Sequence, residues 1–322
     1  MTKDLPRKGA TALQVLDGTD LTGKHALITG ANSGIGFEAA KALALRNAQV
    51  TMACRNAAAA SEAKDLILNE KEDAEINIVH LDLGDLASVE ECCKEVQESN
   101  KPINMLILNA GVYNPVHRVT EAGFEATFQI NHLSQFYLTK LLQQKLIDSA
   151  PARVVVVSSD AQMTESSLRP TEITWKKFSP THRNELNSAY KAYALSKLAN
   201  ALFALELDSQ LGSCGVHAYS LHPGIIKTQI GRNSSLLSSF LGFWGRPFTS
   251  STEQGAATTV FLAAWPELDT QGGKYFSKCR VKQPGAAARN VENAKRLWEL
   301  SEQMIEHYTS TSNKEPTSQE EG

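Results

Sequence analysis

A tyrosine and a lysine lie four positions apart in the chain, at Tyr193 and Lys197. At this spacing both side chains share one face of a helix. A lysine ammonium beside a phenol stabilises the phenolate and lowers the pKa of the tyrosine from its usual value of about 10. A phenol tuned in this way exchanges a proton with an alcohol or a carbonyl near neutral pH. A ring covered by a lysine stem has the same spacing, so the interpretation depends on the rest of the chain.

A glycine-rich segment follows the first apolar run of the chain. The run covers residues 24–29 and is predicted to be a buried strand, and residues 29–36 then read TGANSGIG. Glycines at a strand-to-helix turn let the backbone approach a pyrophosphate, and the helix N-terminus offers it unpaired N–H groups. A simple cap or tight loop is the alternative, which the position within a β-α-β unit disfavours. The residues predicted to bind a dinucleotide here are Gly30, Asn32, Ser33, Gly34, Ile35 and Gly36.

The type of dinucleotide is indicated by the residues after the second and third predicted strands. A carboxylate after the second strand would bind the ribose 2′-hydroxyl of NAD, but residues 53–56 read ACRN. Arg55 is suited to hold the 2′-phosphate of NADP, although a solvated surface arginine is the alternative. Asp82, followed by Leu83, is predicted to contact the adenosine, or else to be a helix N-terminal carboxylate. The expected cofactor is therefore NADP (NADPH), and NAD is disfavoured.

Further polar and glycine-containing segments follow the fourth, fifth and sixth predicted strands. Doubly wound sheets bind ligands at the carboxyl ends of their strands. Asn131 lies inside a predicted helix, where asparagine is unfavourable unless it distorts the helix or holds a water there. Taken singly, these residues are explained as helix caps, turns or a buried amide, but their joint order favours one site. The residues that follow the three strands are Asn109, Ala110, Gly111, Ser158, Ser159, His222, Pro223 and Gly224.

Apolar runs alternate with helical patterns along the whole chain. The runs are continuous, as in VVVV at residues 154–157, which is typical of strands buried on both faces. Repeated β-α units of this kind predict an α/β fold, a single doubly wound Rossmann-type parallel sheet with helices on both faces. One continuous helix is predicted over residues 124–147. We expect a catalytic domain over residues 21–308, between an N-terminal extension, residues 1–20, and a disordered tail, residues 309–322.

Composition and charge limit the possible partners. A net charge of −3 gives no indication of nucleic-acid binding. The five cysteines show no C-x-x-C spacing, which indicates reduced thiols and no metal site. The N-terminus has no apolar signal segment, and no run approaches the roughly 18 apolar residues of a transmembrane helix. We therefore expect a cytoplasmic protein without a transmembrane segment.

In this order, the motifs resemble those of the short-chain dehydrogenase/reductase superfamily, over nearly all of residues 21–277. The chain is more similar to the retinol dehydrogenase-like branch, and within it to the catalytic domains of the WW domain-containing oxidoreductases. Segments that carry this closer similarity include TGANSGIGF at 29–37, SAPAR at 149–153 and GAATTV at 255–260. About twenty residues precede the domain, fewer than the roughly 35 of a WW domain, so binding through such a module is not expected.

The resemblance implies a role for each candidate residue in hydride transfer between NADP(H) and an alcohol/carbonyl pair. It makes Tyr193 the general acid/base, which also contacts the cofactor. Lys197 would lower the pKa of that tyrosine and bind the nicotinamide ribose, Ser159 would hold the substrate oxygen, and Asn131 would keep a water in a proton relay. Further cofactor contacts are implied for Asn109, Ala110, Gly111, Pro223, Gly224 and Thr228.

The substrate is expected to be a small lipophilic alcohol or carbonyl, such as a retinoid, a steroid or an aldehyde. Residues 160–188, a stretch longer than in many members of the superfamily, are predicted to form a flap. The apolar residues 236–248 are predicted to wall the substrate cleft, or equally to form a membrane-surface or packing helix. A homodimer is also possible, because helices equivalent to those predicted at 124–147 and 187–211 form dimer interfaces in many members.

Two other functions compete with this interpretation. A cofactor-binding signalling or adaptor protein with little turnover would keep the fold, but it would have no need of a complete proton relay. A sugar-nucleotide epimerase shares the Tyr-x-x-x-Lys spacing, but such enzymes usually have a G-x-x-G-x-x-G loop and a larger C-terminal lobe. The glycine positions in this chain disfavour an epimerase.

Overall fold

The computed structural model describes residues 4–113, 119–165, 189–224, 250–268 and 272–312. The predicted contact residue Thr228, the apolar residues 236–248 and most of residues 160–188 lie outside this part of the chain. Each of the strands β1 to β7 is a short, largely apolar run. The strands are β1 (His25–Thr29), β2 (Gln49–Cys54), β3 (Ile76–His80), β4 (Met105–Leu108), β5 (Ala152–Val157), β6 (Val216–His222), β7 (Tyr275–Ser277) and β8 (Arg280–Val281).

The helices flank this sheet and are numbered in chain order. Short 3₁₀ segments at Asp160–Glu165, Gly212–Cys214, Pro266–Leu268 and Ala287–Arg289 join some of them to the strands. The helices are α1 (Ala12–Val15), α2 (Gly34–Ala44), α3 (Ala57–Glu70), α4 (Leu86–Glu98), α5 (Ala126–Phe128), α6 (Ser134–Leu141), α7 (Gln143–Asp148), α8 (Ala189–Leu211), α9 (Thr252–Gly255), α10 (Ala257–Ala264) and α11 (Val291–Ser312).

The described strands form one sheet in the order β3-β2-β1-β4-β5-β6-β7-β8. Neighbouring strands pair in parallel, except that β8 runs antiparallel to β7 at the edge. The order reverses between β1 and β4, and ligands bind at the carboxyl ends of strands beside such a switch point. The predicted α/β doubly wound fold is confirmed. The antiparallel edge strand β8 was not predicted, because it has only two residues, both exposed, and two residues cannot show a hydrophobic pattern.

Two cores cover the opposite faces of the sheet. Successive side chains of a strand point to opposite faces, and accordingly Val154 and Val156 lie in one core while Val155 and Val157 lie in the other. The first core is completed by α4, α6, α8 and α11, and the second by α1, α2 and α10. The continuous valine run of β5 is therefore explained by burial on both sides.

The helix predicted over residues 124–147 is interrupted, so the prediction of one continuous helix is wrong. A π-helical turn at Gln129–Leu133 separates α5 from α6, and a second break at Leu142 separates α6 from α7. Such turns are rare and frequently lie at functional sites. The turn contains Asn131, the residue whose position inside a helix was unfavourable.

Both ends of the described chain contain helical structure. Thr11 caps α1, and the buried side chains of Val15 and Leu16 pack within the second core. At the other end, α11 continues to Ser312, past the predicted boundary at residue 308. Helical structure therefore extends into the segment predicted to be a disordered tail.

Candidate active site

The glycine loop joins β1 to α2 and lies against the loop that follows β4. Gly30 and Gly34 have φ values of +64° and +57°, where residues with a Cβ are strained. A Cβ added to Gly36 would lie 2.3 Å from the carbonyl oxygen of Gly30 and 2.5 Å from Nδ2 of Asn109. Glycine at this position is therefore required by close packing against Gly30 of the same loop and against Asn109 of the loop after β4.

The N-terminus of α2 differs from those of the next two helices on the chain. Ser33, its N-cap residue, makes no side-chain hydrogen bond to the helix. Asn56 caps α3 and Asp85 caps α4 through side-chain oxygens. The first N–H groups of α2 are therefore left without a side-chain acceptor at the carboxyl edge of the sheet. This arrangement, with half-buried Asn32 and buried Ile35 beside it, fits the pyrophosphate of a dinucleotide.

The residues predicted to meet the adenosine end lie together. The Arg55 guanidinium is 3.8 Å from a carboxylate oxygen of Asp82, and the Arg55 side chain is 71% exposed. The other carboxylate oxygen of Asp82 accepts the backbone N–H of Gly84 at 2.8 Å. Leu83 is buried, and its carbonyl accepts the hydroxyl of Ser134. Because Asp85 is the cap of α4, the alternative of Asp82 as the helix-terminal carboxylate is not needed.

A buried glutamine that the sequence analysis missed connects these loops to the π-helical turn. Thr29 Oγ1 accepts the backbone N–H groups of Asn109 and Ala110, each at 3.0 Å, and donates to Gln135 Oε1 at 3.0 Å. Gln135 Nε2 donates to the carbonyls of Ala110 and Asn131 at 3.1 and 2.8 Å. Only its spacing could have indicated Gln135 from the sequence, because Gln135 lies four positions after Asn131 and therefore on the same helix face.

The amide of Asn131 is fully buried and held at both ends. Its Oδ1 accepts the backbone N–H of Val112 at 2.7 Å, and its Nδ2 donates to the Val112 carbonyl at 3.0 Å and to Ser196 Oγ at 2.9 Å. Ser196 in turn donates to the carbonyl of Tyr193. Ser196 was also missed, although it lies within the Tyr193–Lys197 segment. Asn131 is thereby fixed against the helix that carries the tyrosine.

The structure brings the predicted catalytic side chains together at the carboxyl end of β5. The side chains of Tyr193 and Ser159 lie close enough to interact. Lys197 Nζ donates to the carbonyl of Val157 at 2.9 Å and lies 5.6 Å from the centroid of the Tyr193 ring. A Cβ on Gly111 would lie 3.3 Å from Lys197 Nζ and from Asn131 Oδ1. Gly111 is therefore close to the polar side chains of both Lys197 and Asn131.

Burial controls the pKa values of the tyrosine and the lysine. It raises the pKa of Tyr193, and the interaction with Ser159 offsets this rise only in part. It also lowers the pKa of Lys197 to about 8. The predicted fall in the tyrosine pKa is wrong in this structure, because burial of the phenol outweighs the interactions that favour the phenolate. A neutral phenol at pH 7 is a proton donor.

The loop after β6 completes the carboxyl edge of the sheet. Pro223 and Gly224 are half-buried, and Gly224 has a φ of +100°. Thr228, the last predicted cofactor contact, lies outside the described residues. In the part of the chain that the structure describes, no group of histidine, cysteine and acidic side chains has the arrangement of a metal site. No helix there is long and apolar enough to cross a membrane.

Fold and site together define an oxidoreductase of the Rossmann type, and comparison with known proteins gives its family. The family model described as short chain dehydrogenase matches residues 24–170. The WW domain-containing oxidoreductase of Pongo abelii is 44% identical over 92% of this chain and 71% of its own length. Retinol dehydrogenase 12 of Mus musculus is 39% identical over 88% of this chain and 87% of its own length. The chain belongs to the short-chain dehydrogenase/reductase family, whose members bind NAD(P), and it is an oxidoreductase that acts on CH–OH groups.

Solved structures share the fold. An uncharacterised protein from Mycobacterium paratuberculosis is 27% identical, with a TM-score of 0.67, and the match covers 92% of this chain and 98% of the other. The Pseudomonas aeruginosa RhlG/NADP active-site complex is 22% identical, with a TM-score of 0.61, and the match covers 80% of this chain and 95% of the other. At that identity the second match supports the fold alone.

Proposed function

We propose that the protein transfers hydride between NADP(H) and a lipophilic alcohol or carbonyl, with Tyr193 as the general acid/base. The observation that carries this proposal is that the Tyr193 and Ser159 side chains lie close enough to interact, beside Lys197 and Asn131. The bound nicotinamide supplies or accepts the hydride, which is the chemistry of the cofactor itself. The chain's own residues bind the oxygen and move the proton.

In the direction of reduction, two hydroxyls act on one carbonyl oxygen. Ser159 and Tyr193 donate hydrogen bonds to the oxygen as negative charge develops on it. Tyr193 then transfers its proton to that oxygen and becomes a phenolate. Lys197, close to the ring, stabilises the phenolate by its positive charge. The role proposed for Asn131 is to hold a water that returns a proton to the pair.

The preference for NADP rests on Arg55. The ion pair with Asp82 is long and largely exposed, and such pairs contribute little, so the guanidinium remains available to a 2′-phosphate. We expect Arg55→Asp to reverse the ratio of NADPH to NADH affinity. Arg46→Asp is the matched control, because Arg46 pairs with Asp17 near the N-terminal segment. An unchanged ratio in Arg55→Asp would contradict the assignment of NADP.

The substrate class, assembly and location are further parts of the proposal. The names of the retinol dehydrogenase relatives support a retinoid as substrate, and we propose a steroid or another lipophilic carbonyl as the alternatives. We also propose a single catalytic domain over residues 21–308, a homodimer and a cytoplasmic location. Sedimentation of the purified protein tests the dimer, and cell fractionation tests the location.

The proposed activity is tested with a panel of aldehydes, retinoids and steroid ketones, followed at the nicotinamide absorbance. The wild type is expected to oxidise NADPH with at least one carbonyl. Tyr193→Phe should lower kcat by about 10²- to 10⁴-fold, because it removes the proton donor. Tyr190→Phe is the matched control, because Tyr190 is a largely exposed tyrosine one turn earlier on the same helix. NADPH binding without turnover on the panel would favour a cofactor-binding signalling protein instead.

A further inference from the structure

A cluster of polar side chains lies beside Ser159 and takes no part in the proton transfer proposed above. The Asp160 cluster consists of Asp160, His222, Tyr275 and Lys282. Asp160 Oδ1 accepts the hydroxyl of Tyr275 at 3.1 Å, and its Oδ2 lies 2.6 Å from Lys282 Nζ. The cluster therefore joins the segment after β5 to the β7–β8 hairpin at the edge of the sheet.

Asp160 contacts both nitrogens of the same imidazole. Its backbone N–H donates to His222 Nδ1 at 3.3 Å, and its Oδ2 lies 3.5 Å from Nε2. A donor at Nδ1 requires an unprotonated nitrogen there, so the proton of the neutral ring is on Nε2, facing the carboxylate. Burial lowers the pKa of His222, which favours this neutral form. One residue thus fixes both the position and the tautomer of the histidine.

The neighbours of these two residues in the chain give the contact its importance. Asp160 directly follows Ser159, and His222 directly precedes Pro223 and Gly224. The strands β5 and β6 are adjacent and in register, so both segments leave the sheet at the same edge. The Asp160–His222 contact is therefore a direct link between the loop of the substrate-binding serine and the loop expected to face the nicotinamide.

We propose that Asp160 and His222 are positioning residues that hold these two loops at a fixed separation. The separation aligns a carbonyl held by Ser159 and Tyr193 with a nicotinamide held at Pro223–Gly224. The inference rests on the proposed function, because it requires that both ligands bind there. Alignment of this kind is sensitive, since a displacement of about 1 Å at a reacting centre can cost about a hundredfold in rate.

The chain supplies a matched control for a purely structural role. Asp208 and His217 form a second aspartate–histidine contact on β6, at 3.1 Å, and Asp208 also accepts a backbone N–H, that of Ala218. This pair lies at the amino end of the strand, away from the proposed site. Asp208→Ala deletes the carboxylate contacts with His217 and Ala218. Asp160→Ala deletes the carboxylate contacts with His222 Nε2, Tyr275 and Lys282 and keeps the backbone N–H bond to His222 Nδ1. Both variants take a carboxylate away from a histidine, so effects that are specific to Asp160 report on alignment.

The first test measures cofactor binding without turnover. Calorimetric titrations of wild type, Asp160→Ala and Asp208→Ala compare NADPH with 2′-phospho-ADP-ribose, which lacks the nicotinamide. Asp160→Ala should weaken NADPH binding about tenfold, which corresponds to the free energy of about one hydrogen bond. The affinity for 2′-phospho-ADP-ribose should not change. Asp208→Ala should leave the ratio of the two affinities unchanged. An unchanged ratio in Asp160→Ala would overturn the inference.

The second test measures rates. Asp160→Ala should lower kcat by about a hundredfold with little change in the KM of the carbonyl. Asp160→Asn, which keeps an acceptor for Tyr275, should recover part of the rate, and it is the second variant if Asp160→Ala does not fold. Equal kcat values for Asp160→Ala, Asp208→Ala and wild type would overturn the inference alone. Wild-type turnover by Tyr193→Phe, or no NADPH binding by the wild type, would overturn the proposed function and this inference with it.

Discussion

Strand β6 has an aspartate–histidine contact at each end, and the two contacts differ in what surrounds them. At the amino end, Asp208 binds His217 and a backbone N–H of the same strand. At the carboxyl end, Asp160 binds His222 and also the β7–β8 hairpin. The same residue types thus connect a helix to a strand at the amino end of β6 and connect two loops at its carboxyl end. Position relative to the sheet, and not residue type, decides which contact belongs to the site.

The same contrast holds for the tightly packed glycines. At the amino end, a Cβ on Gly272 would lie 1.8 Å from Asp208 Oδ1, inside the framework. At the carboxyl end, a Cβ on Gly36 would lie between two loops that are expected to bind the dinucleotide. Close packing at one end therefore serves the fold, and at the other end it shapes a ligand site.

The largest difference between the two ends is expected when Gly36 and Gly272 are each replaced by alanine. Gly36→Ala should weaken NADPH binding by about a hundredfold, ~3 kcal/mol, because the loops must separate to admit the methyl group. Gly272→Ala should lower the thermal midpoint and leave the NADPH affinity of the folded protein unchanged. Calorimetry and thermal unfolding measure the two effects. Equal NADPH affinity in Gly36→Ala and wild type would show that the glycine loop does not meet the cofactor.

Loss of the amino-end aspartate should affect stability alone. Asp208→Ala removes two hydrogen-bond acceptor contacts, and it should lower the free energy of unfolding by about 2–3 kcal/mol. Urea unfolding measures this loss, and kcat and KM of the folded variant should match those of the wild type. Asp208→Asn keeps an acceptor and should lose less. A fall in kcat at unchanged stability would contradict the view that the contact at the amino end is structural and only the contact at the carboxyl end affects the site.

A histidine within the π-helical turn should make the fold sensitive to acid. His132 is fully buried, with Nε2 3.0 Å from Ser301 Oγ, and burial lowers its pKa to about 3. Its folded pKa is below the unfolded value of about 6.5, so stability is complete above pH 6.5 and falls as the unfolded state takes up a proton. The loss should be about 2 kcal/mol between pH 6.5 and pH 5.

Urea unfolding at several pH values measures this slope, and His132→Gln should reduce it. Part of the slope should remain, because burial also lowers the pKa values of His25 and His222. A slope in His132→Gln equal to that of the wild type would show that His132 is not the acid-sensitive group.

The smallest effect is expected at the edge of the Asp160 cluster. Tyr275→Phe removes one donor to Asp160 and leaves the contacts with His222 and Lys282. The lost hydrogen bond should lower kcat by only a few-fold. Steady-state kinetics under saturating NADPH measure the change. A loss as large as that of Asp160→Ala would mean that the tyrosine, and not the aspartate–histidine contact, controls alignment.

Sequence patterns predicted the parts of this molecule that repeat or follow a motif. Continuous apolar runs predicted the parallel strands, and glycine spacing predicted the turn before α2, because each depends on local geometry. The strands then bring Asn131, Ser159, Tyr193 and Lys197 together, as the motif order predicted.

The remaining features depend on contacts between distant segments. Gln135 and Asp160 are ordinary polar residues in the sequence, and their importance appears only when the fold brings Thr29 or His222 to them. The predicted direction of the Tyr193 pKa was wrong for the same reason, because burial raises this pKa and depends on the packing of distant segments around the ring. The π-helical turn likewise contains Asn131, whose bonds to Val112 and Ser196 join distant segments of the chain.

The central claim is that the hydroxyls of Ser159 and Tyr193 act as a unit on one oxygen. Single-turnover hydride transfer in Ser159→Ala, Tyr193→Phe and the double variant tests it most directly. Ser158→Ala is the control, because Ser158 donates to the Lys197 carbonyl instead. Residues that act together lose their effects non-additively, so the double variant should be about as slow as Tyr193→Phe alone, and Ser158→Ala should be close to wild type. Multiplicative losses in the double variant, or equal losses in the two serine variants, would contradict the account.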